Sequence, residues 1–168
     1  WRDLNGKTLG ITDDTATSVK LLRVLLEKKY GVKATFERLH SGVNDCSKYD
    51  AVLLIGDEAL HRYKTGLNGF ELVYDLAKEW YDWQKLPFVF AVWAMKKSLP
   101  DATKYELKSI VSTSLDKSVE NFVAVGGLHG RSVGLSDDET QEYLVGFNYH
   151  LRMSEKEAMN SFKNLIEE

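Results

Sequence analysis

Nine consecutive residues without a charge, Leu86-Pro87-Phe88-Val89-Phe90-Ala91-Val92-Trp93-Ala94, constrain this chain more than any other stretch. A run this apolar, rich in aromatic and β-branched side chains and closing on an indole, predicts a strand buried on both faces. Such strands belong to parallel or mixed sheets covered by helices. Asp75, Glu79 and Asp82 lie just upstream, around a helix expected over residues 77–85, so a charged element leads directly into the interior.

The segments before it support the same class. Lys7 to Thr12 reads as a strand running into Asp13-Asp14-Thr15. From Ala16 the apolar residues Val19, Leu22, Leu25 and Leu26 recur at helical spacing, with Lys20, Arg23, Glu27 and Lys28 mostly opposite, and Gly31 is placed to stop the helix. Residues 33–38 and 49–55 read as further strands, which makes the opening a βαβ unit. Residues 70–76 read as a short strand after a loop over 61–70. Residues 1–94 are thus expected to form an α/β lobe with a crossover strand at 87–94, and residues 95–168 a mainly helical part. Ser136-Asp137-Asp138-Glu139 and Ser154-Glu155-Lys156-Glu157 both fit the capping box, a Ser cap with Glu three residues later. Gly126, Gly127, Gly130 and Gly134 weaken the helix drawn through residues 119–133, because a Gly in a helix interior costs up to about 1 kcal/mol relative to Ala.

Composition excludes several function classes. The 22 basic and 25 acidic residues leave a net charge of -3, which gives no footprint for nucleic acid or for an anionic membrane surface. No apolar run reaches the roughly 18 residues that a membrane-spanning helix needs. Cys46 stands alone, so neither an intrachain disulfide nor a thiolate metal cluster can form, and a reducing cytoplasm is compatible. His40, His61, His129 and His150 have none of the paired spacings of zinc sites, and no metal or other cofactor is expected. Gly126-Gly127-Leu128-His129-Gly130-Arg131-Ser132 lacks the Gly-Lys-Ser/Thr ending of a phosphate loop and reads as close helix packing.

Three places can carry chemistry. Thr15-Ala16-Thr17-Ser18 sets hydroxyls at a strand-to-helix turn, beside the unpaired N–H groups and positive dipole end that suit a carboxylate. Ordinary capping by Asp14 or Thr15 would explain the same residues. Gly56-Asp57 follows a buried strand, where α/β sheets put ligand-binding groups, and Asp57 could act as a general base, orient a hydroxyl, or merely cap Glu58–Leu60. Trp93 could wall a cleft and stack on a planar ring, or plug the core. Trp80 and Trp83 read as packing residues.

In this order and at this spacing, Thr15-Ala16-Thr17-Ser18, Leu54-Ile55-Gly56-Asp57-Glu58-Ala59-Leu60 and the run ending at Trp93-Ala94 resemble the chorismate dehydratase family of the futalosine route to menaquinone. The resemblance extends from near residue 4 to the C-terminus. It implies a two-lobed, periplasmic-binding-protein-like (type II) fold, in which residues 95–168 form the helical C-terminal part of a second lobe and that lobe's N-terminal half is absent. It also implies a cytoplasmic enzyme without cofactor that takes a small carboxylate, eliminating water from chorismate to give 3-[(1-carboxyvinyl)oxy]benzoate. Thr15, Ala16, Thr17, Ser18, Gly56 and Trp93 would bind the substrate and Asp57 would be catalytic. Because the reaction makes a ring aromatic, positioning and electrostatics can carry much of the catalysis, and a substrate carboxylate could serve as the base. The family pattern near the acidic helix reads Tyr-Asp-Leu-Gly and then Trp-Thr-Gly-Leu-Pro; here Ala77 stands for the first Gly and Gln84-Lys85 for the Thr-Gly. Two other classes stay open: a solute-binding module without turnover, and an inactive fragment that self-associates or needs a partner segment to cover its apolar strand.

Overall fold

The computed structural model describes residues 1–12, 16–39 and 46–167, so Thr15 and His40 lie outside the described residues. It is α/β. Strands β1 (Thr8–Ile11), β2 (Thr35–Arg38) and β3 (Ala51–Leu53) pair in parallel in the order β2-β1-β3. The helices among the described residues are α1 (Thr17–Val24), α2 (Gly56–Thr65), α3 (Leu76–Gln84), α4 (Asp101–Val119), α5 (Phe122–Ser132), α6 (Asp137–Val145) and α7 (Met153–Glu167). Contacts divide the chain into two compact units, Trp1–Phe90 together with Arg152–Glu168, and Ala91–Leu151.

In the first unit β1 is central and Leu9 is buried in it. Gly10 faces the other side of the sheet, where an added Cβ would stand 2.7 Å from Leu39 and 2.8 Å from Tyr49, so the backbone itself is the packing surface there. At the amino edge of the sheet Asp50 accepts from the Thr8 N–H (3.1 Å) and pairs with Lys7 (3.1 Å), joining the starts of β1 and β3. Parallel strands need a crossover, and α1 supplies it between β1 and β2. Past Val24 it continues as a π turn over Leu25–Lys29, with Gly31 at φ +66° just beyond.

That helix is buried on two sides. Leu22 and Leu26 join Leu9, Val32 and Leu53 against the sheet. Leu21, Val24 and Leu25 join Trp80 of α3, with Phe88 and, from α7, Phe162 and Leu165 packed against them. Trp80 has no exposed surface and meets Trp83, Phe88 and Phe162 edge to face. A polar clamp holds the same junction: Lys29 donates to the Glu79 carboxylate (2.7 Å) and carbonyl (2.8 Å), and the Tyr30 hydroxyl donates to the same carboxylate.

Several expectations need correction. Residues 70–76 form no strand; only an isolated antiparallel bridge, Leu67 to Phe70, precedes the Asp75 cap of α3. Residues 86–94 also make no ladder: the segment is half-buried as far as Val89, and Phe90, Val92 and Trp93 are exposed. A strand exists only where a neighbouring edge offers its N–H and C=O groups, and β2-β1-β3 accounts for the sheet among the described residues. The expected loop over 61–70 begins late, since α2 runs through Thr65. The helical part expected over residues 95–168 is not grouped as one, because α7 packs on the first unit. Its start also differs: Glu155, not Glu157, reaches back, accepting from the Arg152 N–H (2.8 Å).

In the second unit α5 and α6 pack closely. A Cβ on Gly130 would lie 2.0 Å from the Thr140 hydroxyl oxygen and one on Gly126 2.9 Å from Leu144, so the glycines set the approach of the two helices, as the sequence implies. The Ser136–Glu139 capping box is formed in both directions. Few side chains are buried here beyond Phe122 and Thr140, while Tyr105, Ile110, Leu128 and Val145 are exposed.

Candidate functional site

The strand order makes a switch point. Chain leaving β1 goes to β2 on one side, while β3 lies on the other, so the segments that follow β1 and β3 diverge from adjacent carboxyl ends. In open α/β sheets ligands bind in the crevice at such a place. Ile11 pairs with Leu53, and the ladder continues one residue further, the Thr12 N–H donating to the Leu53 carbonyl (3.4 Å). The starts of α1 and α2 are thereby carried off one edge of the sheet.

Neither helix is capped by the side chain of its N-cap residue. Ala16 occupies that position in α1 and has no oxygen to offer, so capping at this residue is not what the Thr-Ala-Thr-Ser turn provides. Asp14 and Thr15 lie outside the described residues. Thr17 is half-buried in the first turn and Ser18 is buried, 8% exposed, while Ala16 is exposed. No acidic residue stands in the first turn of α1, so no carboxylate of that turn offsets the positive end of its dipole.

The α2 terminus differs in sign. Ile55 is its N-cap, Gly56 opens the helix at φ +59°, and Asp57 and Glu58 both stand in the first turn. A left-handed φ at that point favours Gly, and nothing within 4 Å would meet an added Cβ, so the restriction on Gly56 is conformational. Glu58 is held by Arg62 at 2.7 Å. Asp57 is exposed and sits inside the helix, not at its N-cap, so the expectation of a cap for Glu58–Leu60 does not describe it. Chemically the α1 end suits an anion, and the α2 end, already carrying a carboxylate, suits a hydroxyl or a proton.

The structure thus brings Ala16, Thr17 and Ser18 to the same sheet edge as Gly56 and Asp57. Trp93 belongs to the second unit and is 90% exposed, which eliminates the core-plug alternative. Among the described residues no group of three or more His, Cys, Asp or Glu side chains gathers as a metal site, and no helix is long and apolar enough to cross a membrane. Sequence reasoning treated Thr12 only as the end of a strand; its place at the carboxyl end of a central strand was the available signal.

A family model described as menaquinone biosynthesis matches residues 1–168. The chain is also 32% identical over 171 residues to the chorismate dehydratase of Thermus thermophilus, an alignment that covers 94% of this chain and 62% of that protein. It therefore spans less than two thirds of that relative's length.

Proposed function

The chain belongs to the menaquinone-biosynthesis family, and on that footing we propose that it acts as a chorismate dehydratase, a hydro-lyase giving 3-[(1-carboxyvinyl)oxy]benzoate. The observation that supports this reading is the pair of helix starts at the edge shared by β1 and β3, one free of first-turn acids and one carrying Asp57. A substrate carboxylate rests at Thr17 and Ser18, taking N–H groups and hydroxyls of the first turn of α1. Asp57 faces the departing hydroxyl or the ring hydrogen, and Gly56 lets the backbone turn there. The architecture we assign is the periplasmic-binding-protein-like one, in the cytoplasm, with a second copy or a further segment covering the apolar surface around residues 88–93.

Isothermal titration with chorismate beside an absorbance assay for the aromatic product tests the assignment. Binding with turnover supports the enzyme. Binding without turnover selects the solute-binding module instead, and no binding rejects both. Replacing Thr17 and Ser18 together by Ala is expected to weaken binding by about 1–3 kcal/mol, the scale of hydrogen bonds to a charged group. Sedimentation at rising concentration reads the expected association.

A further inference from the structure

Among the buried polar atoms of the described residues, the Thr12 hydroxyl stands out. It is shielded from solvent and has no hydrogen-bond partner, although the backbone N–H of the same residue is paired with Leu53. Buried hydroxyls are nearly always satisfied, and an orphan is a cost that an apolar residue of the same shape would avoid. Val is that residue, and it also suits a strand better packed than polar. Something other than the protein's own packing is therefore needed to account for Thr at this position.

Its place in the sheet says what that is. Leu9 and Ile11 pack on the α1 side of the sheet, while Gly10 backs on Leu39 and Tyr49. Strand alternation carries Thr12 to the Gly10 side, one residue past the last β1 pair and beside the end of β3. That is the switch point between the two helix starts. We infer that Thr12 is a further substrate-binding residue, its hydroxyl donating to a carboxylate oxygen of the bound molecule. The inference rests on the carboxylate site proposed above and adds to it a group from the strand itself, so the anion would be held from a rigid element as well as from a helix turn.

Four proteins with chorismate as the probe decide the matter: the unaltered chain, Thr12→Val, the Thr17→Ala/Ser18→Ala double variant, and Thr12→Ser as the conservative control. Titration calorimetry should show Thr12→Val binding about tenfold or more weakly and Thr12→Ser binding like the unaltered chain. The ligand-free melting temperature of Thr12→Val should be unchanged or higher, a result that a purely structural hydroxyl would not give. Equal affinity in Thr12→Val, with the double variant weakened, overturns the role of Thr12 and leaves the helix site standing. Equal affinity in all of them, or no binding by the unaltered chain, overturns the site and this inference with it. Should Thr12→Val fail to fold, that itself contradicts an unpartnered hydroxyl, and Thr12→Ala carries the affinity comparison.

Discussion

Replacing Gly130 by Ala should destabilise the second unit, against the usual direction for a helix interior. In an open helix the change gains about 1 kcal/mol, because Ala surrenders less backbone freedom than Gly. Here the new Cβ would fall 2.0 Å from the Thr140 hydroxyl oxygen and 3.0 Å from both of that residue's side-chain carbons. Thr140 has little room to give: it is 3% exposed, and its hydroxyl donates to the Ser136 carbonyl at 2.8 Å, next to the capping box. Rotating it forfeits that hydrogen bond and leaves a buried hydroxyl unpaired, about 2–3 kcal/mol, and separating the helices instead costs about as much, within the range typical of overpacking. Subtracting the propensity gain leaves a net loss of about 1–2 kcal/mol. Urea unfolding followed by far-UV circular dichroism measures it, and amide exchange in α5 and α6 localises it. Gly127→Ala, whose nearest neighbours are at 3.3 Å, is the internal control and should be near neutral. Adding Thr140→Ala to Gly130→Ala should show a coupling of about 1 kcal/mol. A Gly130→Ala protein as stable as the original, or more so, would refute the claim that these glycines set the distance between α5 and α6.

Two further outcomes follow from the first unit. Lys85 ends α3 at φ +58°, the left-handed region, where the family pattern has Gly; Lys85→Gly should raise stability by about 0.5–1 kcal/mol, and an unchanged or lower urea midpoint would contradict that. Burial pushes the Glu79 carboxyl up, but the hydrogen bonds from Lys29 and Tyr30 outweigh it and hold it below its ordinary 4.5. Its contribution to stability is therefore present above that value and lost as pH falls through the lowered one. Burial likewise disfavours the Lys29 charge, yet its bond to Glu79 leaves its pKa above 10.5, and burial together with Glu79 raises that of Tyr30 above 10.0, so their contributions are full at lower pH and fade in strong alkali. Glu79→Gln should cost about 2–3 kcal/mol near neutrality, between exposed and buried ion pairs, and should flatten the acid limb of a stability–pH curve; an unaltered acid limb would remove Glu79 from the account.

The βαβ opening was legible because its signals are local: apolar residues of α1 at helical spacing, Gly31 at its end, and strands short enough to read from composition. The capping box of α6 and the glycine face of α5 were legible for the same reason. The two misread strands depended on partners distant in sequence. Residues 70–76 and 86–94 have strand composition, yet composition cannot say whether an unpaired edge exists to receive them. The end of α2 was missed because His61, Arg62, Tyr63, Lys64 and Thr65 carry no apolar period; that turn is held by Glu58–Arg62 and by the Thr65 hydroxyl on the His61 carbonyl. The apolar spacing of α1 marks one buried face, whereas Leu21 and Val24 line a second one against Trp80. At the site, the hydroxyl turn and Gly56-Asp57 were visible as residue types. Their shared edge came only from the strand order, and the orphaned Thr12 hydroxyl only from coordinates.

The return of α7 to the first unit has a consequence during synthesis. Trp80 and Phe88 emerge from the ribosome long before Phe162, the ring that closes over both of them. At roughly 5–20 residues per second, the nascent chain carries that aromatic patch uncovered for several seconds while the whole of residues 91–151 is made. A chaperone that binds exposed aromatic surface would find its target in that interval, and a stop codon placed anywhere before α7 would make the exposure permanent.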